Sequence, residues 1–448
     1  MRHDLFAATG LTAVSLAACS LPAGSQDPFV GFGPNPPLPK VHDSLLPTVG
    51  VPDVVRWAPN AAPKAPPGFT VVRYAEGLSH PRWLYVLPNG DVLVSESATE
   101  PSPADKSNKG IKGFFQKMLM RKVGSAEKSP NQIFLLRDAD NDGVAESRML
   151  FARGLTRPFG MTLAGGKLYV ANDNGVVSFP YADGQTSAPG TGDKVFDLPG
   201  GPINHHWTKN VVASPDGARL YATVGSNSNV GENGLQNEVG RAAIWEHTIA
   251  TGQTRIYASG IRNPNGIDFE PVTHAMWTVS NERDEIGNDL PPDFLTSVKD
   301  GAFYGWPYSY WGHNADVRAK PANPQMVAIA TAPDYGLGPH TASLGLAFYT
   351  AGLFPASYQG GAFIGQHGSW NRKPLNGYRV VFVPFAGGRP QMPAREFLTG
   401  FLDAHNKIQG RPVAVVVDKR GALLVADDVG GIVWRVAPAA TAASTPAG

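Results

Sequence analysis

The pattern of hydrophobic and polar positions repeats six times along the chain. In each copy, a turn of glycine or other turn-forming residues precedes a run of β-branched, aromatic or aliphatic residues, which is typical of a β-hairpin. The six runs lie at 91–94, 167–170, 219–222, 275–278, 362–365 and 422–425. One propeller blade needs roughly 40–50 residues, so six copies with insertions fill the region 68–437. The repeat predicts an all-β, six-bladed β-propeller rather than a β-sandwich, which would not repeat one hairpin at this spacing.

A polar segment precedes each predicted hairpin. Equivalent positions of successive blades form a ring around a propeller axis, so we expect these side chains to meet at one mouth of the channel. They are His80, Arg157, His206, Arg262, Asn263, His340 and Arg411. A concave ring rich in histidine and arginine is suited to an anionic ligand.

Three members of this ring have clear chemical alternatives. A neutral imidazole at His206 can take a hydroxyl proton, or it can be a structural histidine bonded to backbone carbonyls. Arg262 and Arg411 have planar guanidinium groups that match carboxylates, or each can form a salt bridge between blades. Their matching positions in the repeat favour a shared anionic ligand.

Composition narrows the class of protein. The formal net charge is +1, which gives no reason to expect a nucleic-acid partner. The chain has 42% hydrophobic residues, which excludes a disordered chain.

The N-terminal region predicts export. Residues 1–18 contain a short apolar run after Arg2 and predict a signal peptide rather than a membrane-spanning helix. The sequence Leu-Ala-Ala-Cys at 16–19 resembles a bacterial lipobox, so Cys19, the single cysteine, is predicted to carry a lipid; the alternative is an ordinary secretory signal. Ser20 after it implies the periplasmic side of the outer membrane. Residues 19–67 are predicted to form a tether and 438–448 a flexible tail.

Two insertions in the first blade carry further chemistry. Carboxylates occupy positions 1, 3, 5 and 9 of one loop, namely Asp138, Asp140, Asp142 and Glu146. Gly143 stands at position 6 and Met149 at position 12, so the loop begins like an EF-hand but lacks its bidentate glutamate. We interpret it as a structural Ca²⁺ site in a β-hairpin, the alternative being a metal-free acidic turn.

The segment 106–128 predicts a basic amphipathic helix that could contact a membrane, cover the mouth, dock an electron acceptor or simply pack on the rim.

Several motifs together carry a resemblance to a known family. They are Asn-His-His-Trp at 204–207, Ser-Pro-Asp-Gly at 214–217, Gly-Ile-Arg-Asn-Pro-Asn-Gly at 260–266 and Tyr-Gly-Trp-Pro at 304–307. In this order and spacing they resemble the soluble quinoprotein glucose and sorbosone dehydrogenases. The segments 281–287 and 366–372 are more similar to the sorbosone branch.

The resemblance implies a bound pyrroloquinoline quinone (PQQ) and oxidation of a sugar or sugar aldehyde by hydride transfer to the quinone. His206 then corresponds to the base that deprotonates the substrate hydroxyl. Arg262 corresponds to the arginine that polarises the quinone carbonyl. Asn263 and Arg411 correspond to cofactor contacts, with Arg411 at a carboxylate.

The resemblance also implies Ca²⁺ held against the quinone by two backbone carbonyls, which map to Asn281 and Glu282. The chain departs there from the Gly-Pro pair of the glucose branch. Arg372 is the candidate substitute for a quinone-contacting lysine of that branch. Arg157 stands in the second-blade motif and is the remaining predicted cofactor contact.

Electrons would leave through an external acceptor, a quinone pool or a cytochrome, because the sequence has no haem-attachment Cys-x-x-Cys-His. Two other functions stay open. A Ca²⁺-dependent lactonase-like hydrolase would need Glu, Asn and Asp around an axial calcium, whereas the ring offers His and Arg. A non-catalytic binding propeller is the other alternative, because fold alone does not determine function.

Overall fold

The computed structural model describes residues 24–42, 52–100 and 128–439. These residues form six antiparallel sheets of four or five strands, with very little helix. The prediction of an all-β, six-bladed propeller is confirmed. Among the described residues, no helix is both long and apolar enough to cross a bilayer.

The strands of each blade are named a to d, outwards from the channel. Blade 1 contains Pro81–Val86, Val92–Glu96, Gln132–Arg137 and Ser147–Arg153. Blade 2 contains Met161–Ala164, Lys167–Asn172, Gly175–Pro180 and Asp193–Asp197. Blade 3 contains Val211–Ala213, Arg219–Val224, Ala243–Thr248 and Thr254–Ser259.

The second half of the ring has the same plan. Blade 4 contains Asn263–Phe269, Met276–Asn281, Pro292–Ser297 and Tyr335–Pro339. Blade 5 contains Ser343–Phe348, Ala362–Gln366, Arg379–Val383 and Arg395–Leu398. Blade 6 contains Pro412–Val417, Leu423–Asp427, Ile432–Pro438 and Phe69–Ala75.

A few small elements decorate the blades. Two short hairpins pair Ser309–Tyr310 with Asn314–Ala315 and Phe385–Ala386 with Arg389–Pro390. One short α-helix spans Pro324–Ala328, and 3₁₀ turns span Leu235–Glu238 and Ala356–Tyr358.

The ring closes by pairing the first strand of the domain with the last. Phe69–Ala75 runs antiparallel to Ile432–Pro438 and completes blade 6. The a strands of neighbouring blades contact one another around the channel. Where blade 5 meets blade 6, a Cβ on Gly345 would lie 2.3 Å from the Val413 carbonyl oxygen, so glycine is required for this close approach.

Strand register defines two faces of the propeller. The start of strand a pairs with the end of strand b, as in Pro81 with Glu96 and Pro412 with Asp427. The segments before strands a and the loops between strands b and c therefore share one face, which we call the mouth face. The a–b turns and c–d turns lie on the opposite face, which we call the back face.

The described parts of the predicted tether are folded onto the propeller. Phe32–Gly33 adds a fifth strand to blade 4 beside Tyr335–Pro339. Trp57 donates its indole N–H to Asp427 at 2.6 Å, and Lys64 bridges to Thr399. Residues 24–42 and 52–67 thus belong to the domain rather than to a free tether, because apolar side chains such as Phe32 and Trp57 are covered there.

Other predicted segments fall outside the described residues. These are the signal peptide and Cys19, residues 43–51 of the tether, nearly all of the basic insertion, and the tail from 440 onwards.

Candidate active site

His206 lies on the mouth face, before strand a of blade 3, with its ring partly exposed. Its Nδ1 lies 2.8 Å from the carbonyl oxygen of Ser226 and 3.0 Å from the Ser226 hydroxyl. A carbonyl only accepts hydrogen bonds, so Nδ1 carries the proton and the lone pair is on Nε2. Burial, aided by the Arg262 guanidinium and by His205, holds the pKa of His206 well below its usual range. His206 is therefore a neutral imidazole with a free basic nitrogen.

Arg262 precedes strand a of blade 4 and is buried. Its Nη1 donates to the Glu282 carbonyl at 2.7 Å, and its Nη2 donates to Asn229 Oδ1 at 3.0 Å and to Asp284 Oδ2 at 3.3 Å. These partners fix the position of the guanidinium, whose positive charge lowers the pKa of His206.

Asp284 joins two predicted ring residues. His340 Nδ1 lies 3.6 Å from Asp284 Oδ1, and Arg262 binds the other oxygen. Burial opposes its ionisation, but His340 and Arg262 lower the pKa of Asp284 to about 2. Burial likewise disfavours the charged form of His340, yet Asp284 raises the pKa of His340 overall. The result is a cluster in which the Asp284 carboxylate lies between His340 and the Arg262 guanidinium.

Asn263 is the neighbour of His206 across Gly225. A Cβ on Gly225 would lie 2.4 Å from His206 Cβ and 2.5 Å from Asn263 Oδ1, so a glycine is needed between them. The amide nitrogen of Asn263 donates to Asn281 Oδ1 at 3.1 Å. Its Oδ1 is buried and has no hydrogen-bond donor within the described part of the chain.

The predicted calcium ligands Asn281 and Glu282 follow strand b of blade 4. The Glu282 carbonyl oxygen, a proposed ligand, instead accepts from Arg262. The Glu282 carboxylate accepts from the backbone and guanidinium nitrogens of Arg283 at 3.1 and 2.9 Å. A guanidinium already bonded to the carbonyl repels a dication, so this pair does not fit the predicted Ca²⁺ in the arrangement observed.

A cleft of about 140 Å³ opens between blades 1 and 6. Its lining includes Arg82, Arg411, Asp428, His367 and His80. Arg82 forms an ion pair with Asp428, which also lies 3.0 Å from His367 Nε2. Burial and the charge of Arg411 lower the pKa of His367 to about 4, so this ring is neutral and the two arginines leave a net positive charge.

Two arginines in this region keep donors available for a ligand. Arg411 gives Nε and Nη2 to the carbonyls of His367 and Gly368 at 2.8 and 2.6 Å and lies over the Tyr378 ring. The Nε of Arg82 is buried without a hydrogen-bond acceptor among the described residues.

Trp207 connects the cleft to His206, its chain neighbour. The guanidinium carbons of Arg82 and Arg157 each lie 5.6 Å from the Trp207 ring centroid. Arg157 is also paired with Asp173. The seven predicted ring residues therefore all lie on the mouth face.

Arg372, a predicted cofactor contact, is bonded to protein groups in the structure. It is 1% exposed, and its nitrogens donate to the carbonyls of Asn288, Pro374 and Ser25 and to Asp289. Through Ser25, these bonds hold the N-terminal segment on the propeller in the structure.

Four site residues were not predicted, namely Arg82, Asp284, His367 and Asp428. The last three lie in b–c loops, and nothing in the repeat pattern shows how these loops fold over the mouth. Two of them could have been found from the sequence. Arg82 follows the predicted ring residue His80 by two positions, and His367 lies within the 366–372 motif that carries the resemblance.

The acidic loop lies elsewhere. The carboxylates Asp138, Asp140, Asp142 and Glu146 each offer an oxygen, and these oxygens lie within 4.8 Å of one another. The loop joins strands c and d of blade 1 and is therefore on the back face.

Residues 193–369 match the glucose/sorbosone dehydrogenase family model, the segment that contains His206, Arg262, Asn263 and His340. This part of the chain is similar to the glucose/sorbosone dehydrogenases. Residues 313–439 also match a TrAA12-like model. The more specific assignment to the sorbosone branch stays a prediction.

The individual proteins to which the chain is similar are distant from it in sequence. An uncharacterised protein of Borreliella burgdorferi is 26% identical over 65% of this chain and 79% of its own length. A pyrroloquinoline quinone-dependent pyranose dehydrogenase of Coprinopsis cinerea is 27% identical over 52% of this chain and 39% of its own length. This chain thus aligns with well under half of that enzyme.

Solved structures agree on the fold. The holo form of the pyranose dehydrogenase PQQ domain from Coprinopsis cinerea superposes with a TM-score of 0.66 at 21% identity, covering 87% of this chain and all of that one.

Proposed function

We propose that this protein is a PQQ-dependent oxidoreductase that oxidises a sugar or sugar aldehyde and passes the electrons to an external acceptor. The observation that carries the proposal is the neutral, oriented imidazole of His206 beside the fixed cation of Arg262. The family match and the names of the relatives support the same chemistry.

The residues at the mouth fit PQQ, which is a planar tricarboxylate with a quinone. The cleft between blades 1 and 6 has net positive charge, and the buried Nε of Arg82 there has no acceptor among the described residues. Beside His206, the buried Oδ1 of Asn263 likewise has no donor in the described part of the chain. Its volume of about 140 Å³ is below the range of about 300–1,000 Å³ typical of whole ligand pockets. We therefore assign it to one carboxylate-bearing end of the cofactor, with Arg411 and Arg82 as its donors.

When bound, PQQ supplies the acceptor for a hydride from the substrate carbon. His206 Nε2 takes the hydroxyl proton of the substrate as the carbonyl product forms. Ser226 keeps the ring oriented, because its carbonyl holds the Nδ1 proton throughout. Arg262 places a positive charge where negative charge develops, and Asp284 and Asn229 hold that arginine still. No step depends on the calcium predicted at Asn281 and Glu282.

The proposal is tested by reconstituting the purified chain with PQQ, with Ca²⁺ in the buffer, and following dye reduction with a panel of aldoses and aldehydes. Saturable quinone binding and sugar-dependent dye reduction are expected. Absence of quinone binding in a spectroscopic titration would overturn the proposal.

The base is tested separately with His206→Ala. This variant should bind quinone within a few-fold of wild type yet lose turnover by on the order of 10²–10⁴. Tyr308→Phe, a partly exposed ring outside the mouth contacts described above, is the matched control. Turnover that survives in His206→Ala would exclude His206 as the base.

We further propose export and lipid attachment at Cys19, supported by the lipobox resemblance. Cys19→Ser should abolish labelling by a radioactive fatty acid and release the protein from the membrane fraction. Wild-type protein that takes up no label would refute the anchor.

The lactonase alternative finds less support. Among the described residues, the one carboxylate group arranged to hold a metal is the back-face loop rather than the channel axis.

A further inference from the structure

The turn at 138–146 connects strands c and d of blade 1 on the back face, away from the mouth. It carries four carboxylates whose oxygens lie within 4.8 Å of one another. Close carboxylates repel each other unless a cation neutralises them. Proximity alone does not establish a site, because exposed acidic groups are common on protein surfaces.

Asp138 provides the second, independent observation. Its side chain is 8% exposed, and Arg420 Nη2 and the Gly143 amide donate to its Oδ2 at 2.7 and 3.0 Å. Its Oδ1 is shielded from solvent and receives no hydrogen bond from any described residue. A buried carboxylate oxygen without a donor is costly. This oxygen therefore indicates a cation as its partner.

The other carboxylates are oriented by the loop itself. Asp140 Oδ1 accepts from the Asp142 amide at 3.0 Å, and Asp142 Oδ1 accepts from the Val144 amide at 2.7 Å. Glu146 Oε2 accepts from the Ala139 amide at 2.7 Å. Each carboxylate uses one oxygen in this way, and its second oxygen remains for ligation.

The chemistry of the ligands selects the ion. All are oxygens from a flexible loop, which suits Ca²⁺, whereas transition metals favour nitrogen and sulfur and Mg²⁺ demands a stricter octahedron. The nearby cation Arg420 balances one of the four negative charges. A divalent ion is needed to offset most of the remainder.

The loop also spans the seam at which the ring closes. Arg420 lies in the a–b turn of blade 6 and donates to Asp138 and to the Asn141 carbonyl. The Ala145 amide donates at 2.7 Å to the carbonyl of Tyr74, in strand d of blade 6. We propose that the loop 138–146 binds one structural Ca²⁺ ion and that this ion fastens blade 1 to blade 6.

The test uses the full chain, stripped with a chelator and kept free of PQQ. Calorimetric titration with Ca²⁺ should show one site with a Kd on the order of 10⁻⁵–10⁻³ M, because the bidentate glutamate is absent. Saturating Ca²⁺ should raise Tm by about a few degrees. Absence of binding up to millimolar Ca²⁺ would overturn the proposal.

Variants locate the site. Asp140→Asn and Asp142→Asn change exposed side chains, so the fold should persist, and each should weaken binding at least about tenfold. Asp183→Asn, an exposed aspartate in blade 2, is the matched control and should bind as wild type does. Equal affinity in all three variants would place the calcium elsewhere and refute the assignment.

Hydrogen exchange tests the seam. Ca²⁺ should slow exchange in peptides covering 138–146 and Phe69–Ala75 by about the same factor, with peptides of blade 3 unchanged. Slowing confined to 138–146 would show that the ion does not fasten blade 6.

Discussion

Arg372 offers a direct test because the resemblance and the structure give it different roles. In the structure it binds the carbonyls of Asn288, Pro374 and Ser25 and pairs with Asp289 at 2.6 Å. The perturbation is Arg372→Met, which keeps an unbranched side chain and removes every donor. If Arg372 is an anchor, this change should loosen the N-terminal segment and leave PQQ binding intact.

The magnitude follows from the bonds lost. Removing one partner from a buried, hydrogen-bonded ion pair costs about 3–5 kcal/mol. We take the same value as the upper limit for losing all the bonds of Arg372. The Ser25 carbonyl can bind water once the segment opens, so its lost hydrogen bond adds little to the free-energy cost. At about 1.4 kcal/mol per tenfold change, opening of the segment should become roughly 10²–10⁴ times more frequent.

Hydrogen exchange with mass spectrometry measures this opening. The Gly24 amide donates to the Lys373 carbonyl at 2.7 Å, and the Ser25 amide donates to Asp289 at 2.8 Å. Peptides covering 24–33 should therefore exchange about 10²–10⁴ times faster in the variant. The matched control is Arg389→Met, because Arg389 pairs with an aspartate at 2.8 Å but its side chain is 61% exposed, and its loss should cost less than about 1 kcal/mol.

The two roles are distinguished by measuring both hydrogen exchange at 24–33 and PQQ affinity in Arg372→Met. Unchanged exchange at 24–33 together with a loss of PQQ affinity would make Arg372 a cofactor ligand and refute the anchor role.

Two further perturbations test the mouth and its support. Gly225→Ala places a methyl group 2.4 Å from His206 Cβ, so it should displace the imidazole and lower kcat at least about tenfold in dye reduction; unchanged kcat would contradict the proposed role of His206. Burial raises the pKa of Asp427 to about 6, so the folded protein binds a proton more tightly than the unfolded chain, and stability is lost as pH rises from about 4 to about 6. In urea titrations across this pH range, the unfolding free energy of wild type should fall by about 3 kcal/mol relative to that of Asp427→Asn. A difference between the two proteins that does not change with pH would refute the raised pKa of Asp427.

The elements near the axis could be predicted because they are local. A turn followed by a run of β-branched, aromatic or aliphatic residues marks each a–b hairpin, and the predicted run at 219–222 lies within the observed strand Arg219–Val224. The same repeat indicates that the residue before each strand a faces the mouth. Arg262 directly precedes Asn263–Phe269, and Arg411 directly precedes Pro412–Val417.

Contacts between remote segments could not be predicted in this way. The partner of Phe69–Ala75 lies at the far end of the domain, and its register depends on ring closure rather than on local pattern. Arg372 was assigned to the cofactor from the family resemblance, and its contact with Ser25 could not be foreseen because that segment was predicted to be a tether. Asp284 was missed for the same reason, since its role arises only when a blade 4 loop meets His340 of the next blade.

Backbone strain adds an argument for function at the mouth. His80, Arg157 and His340 have φ values of 49°, 48° and 56°, the left-handed region that favours glycine. This conformation costs roughly 1–2 kcal/mol in a residue with a side chain. Glycine would relieve the cost in all three blades, yet each position carries a histidine or an arginine that faces the ring. Strain retained at equivalent positions of three blades implies that the histidine and arginine side chains themselves are required there, as a site for an anionic ligand demands.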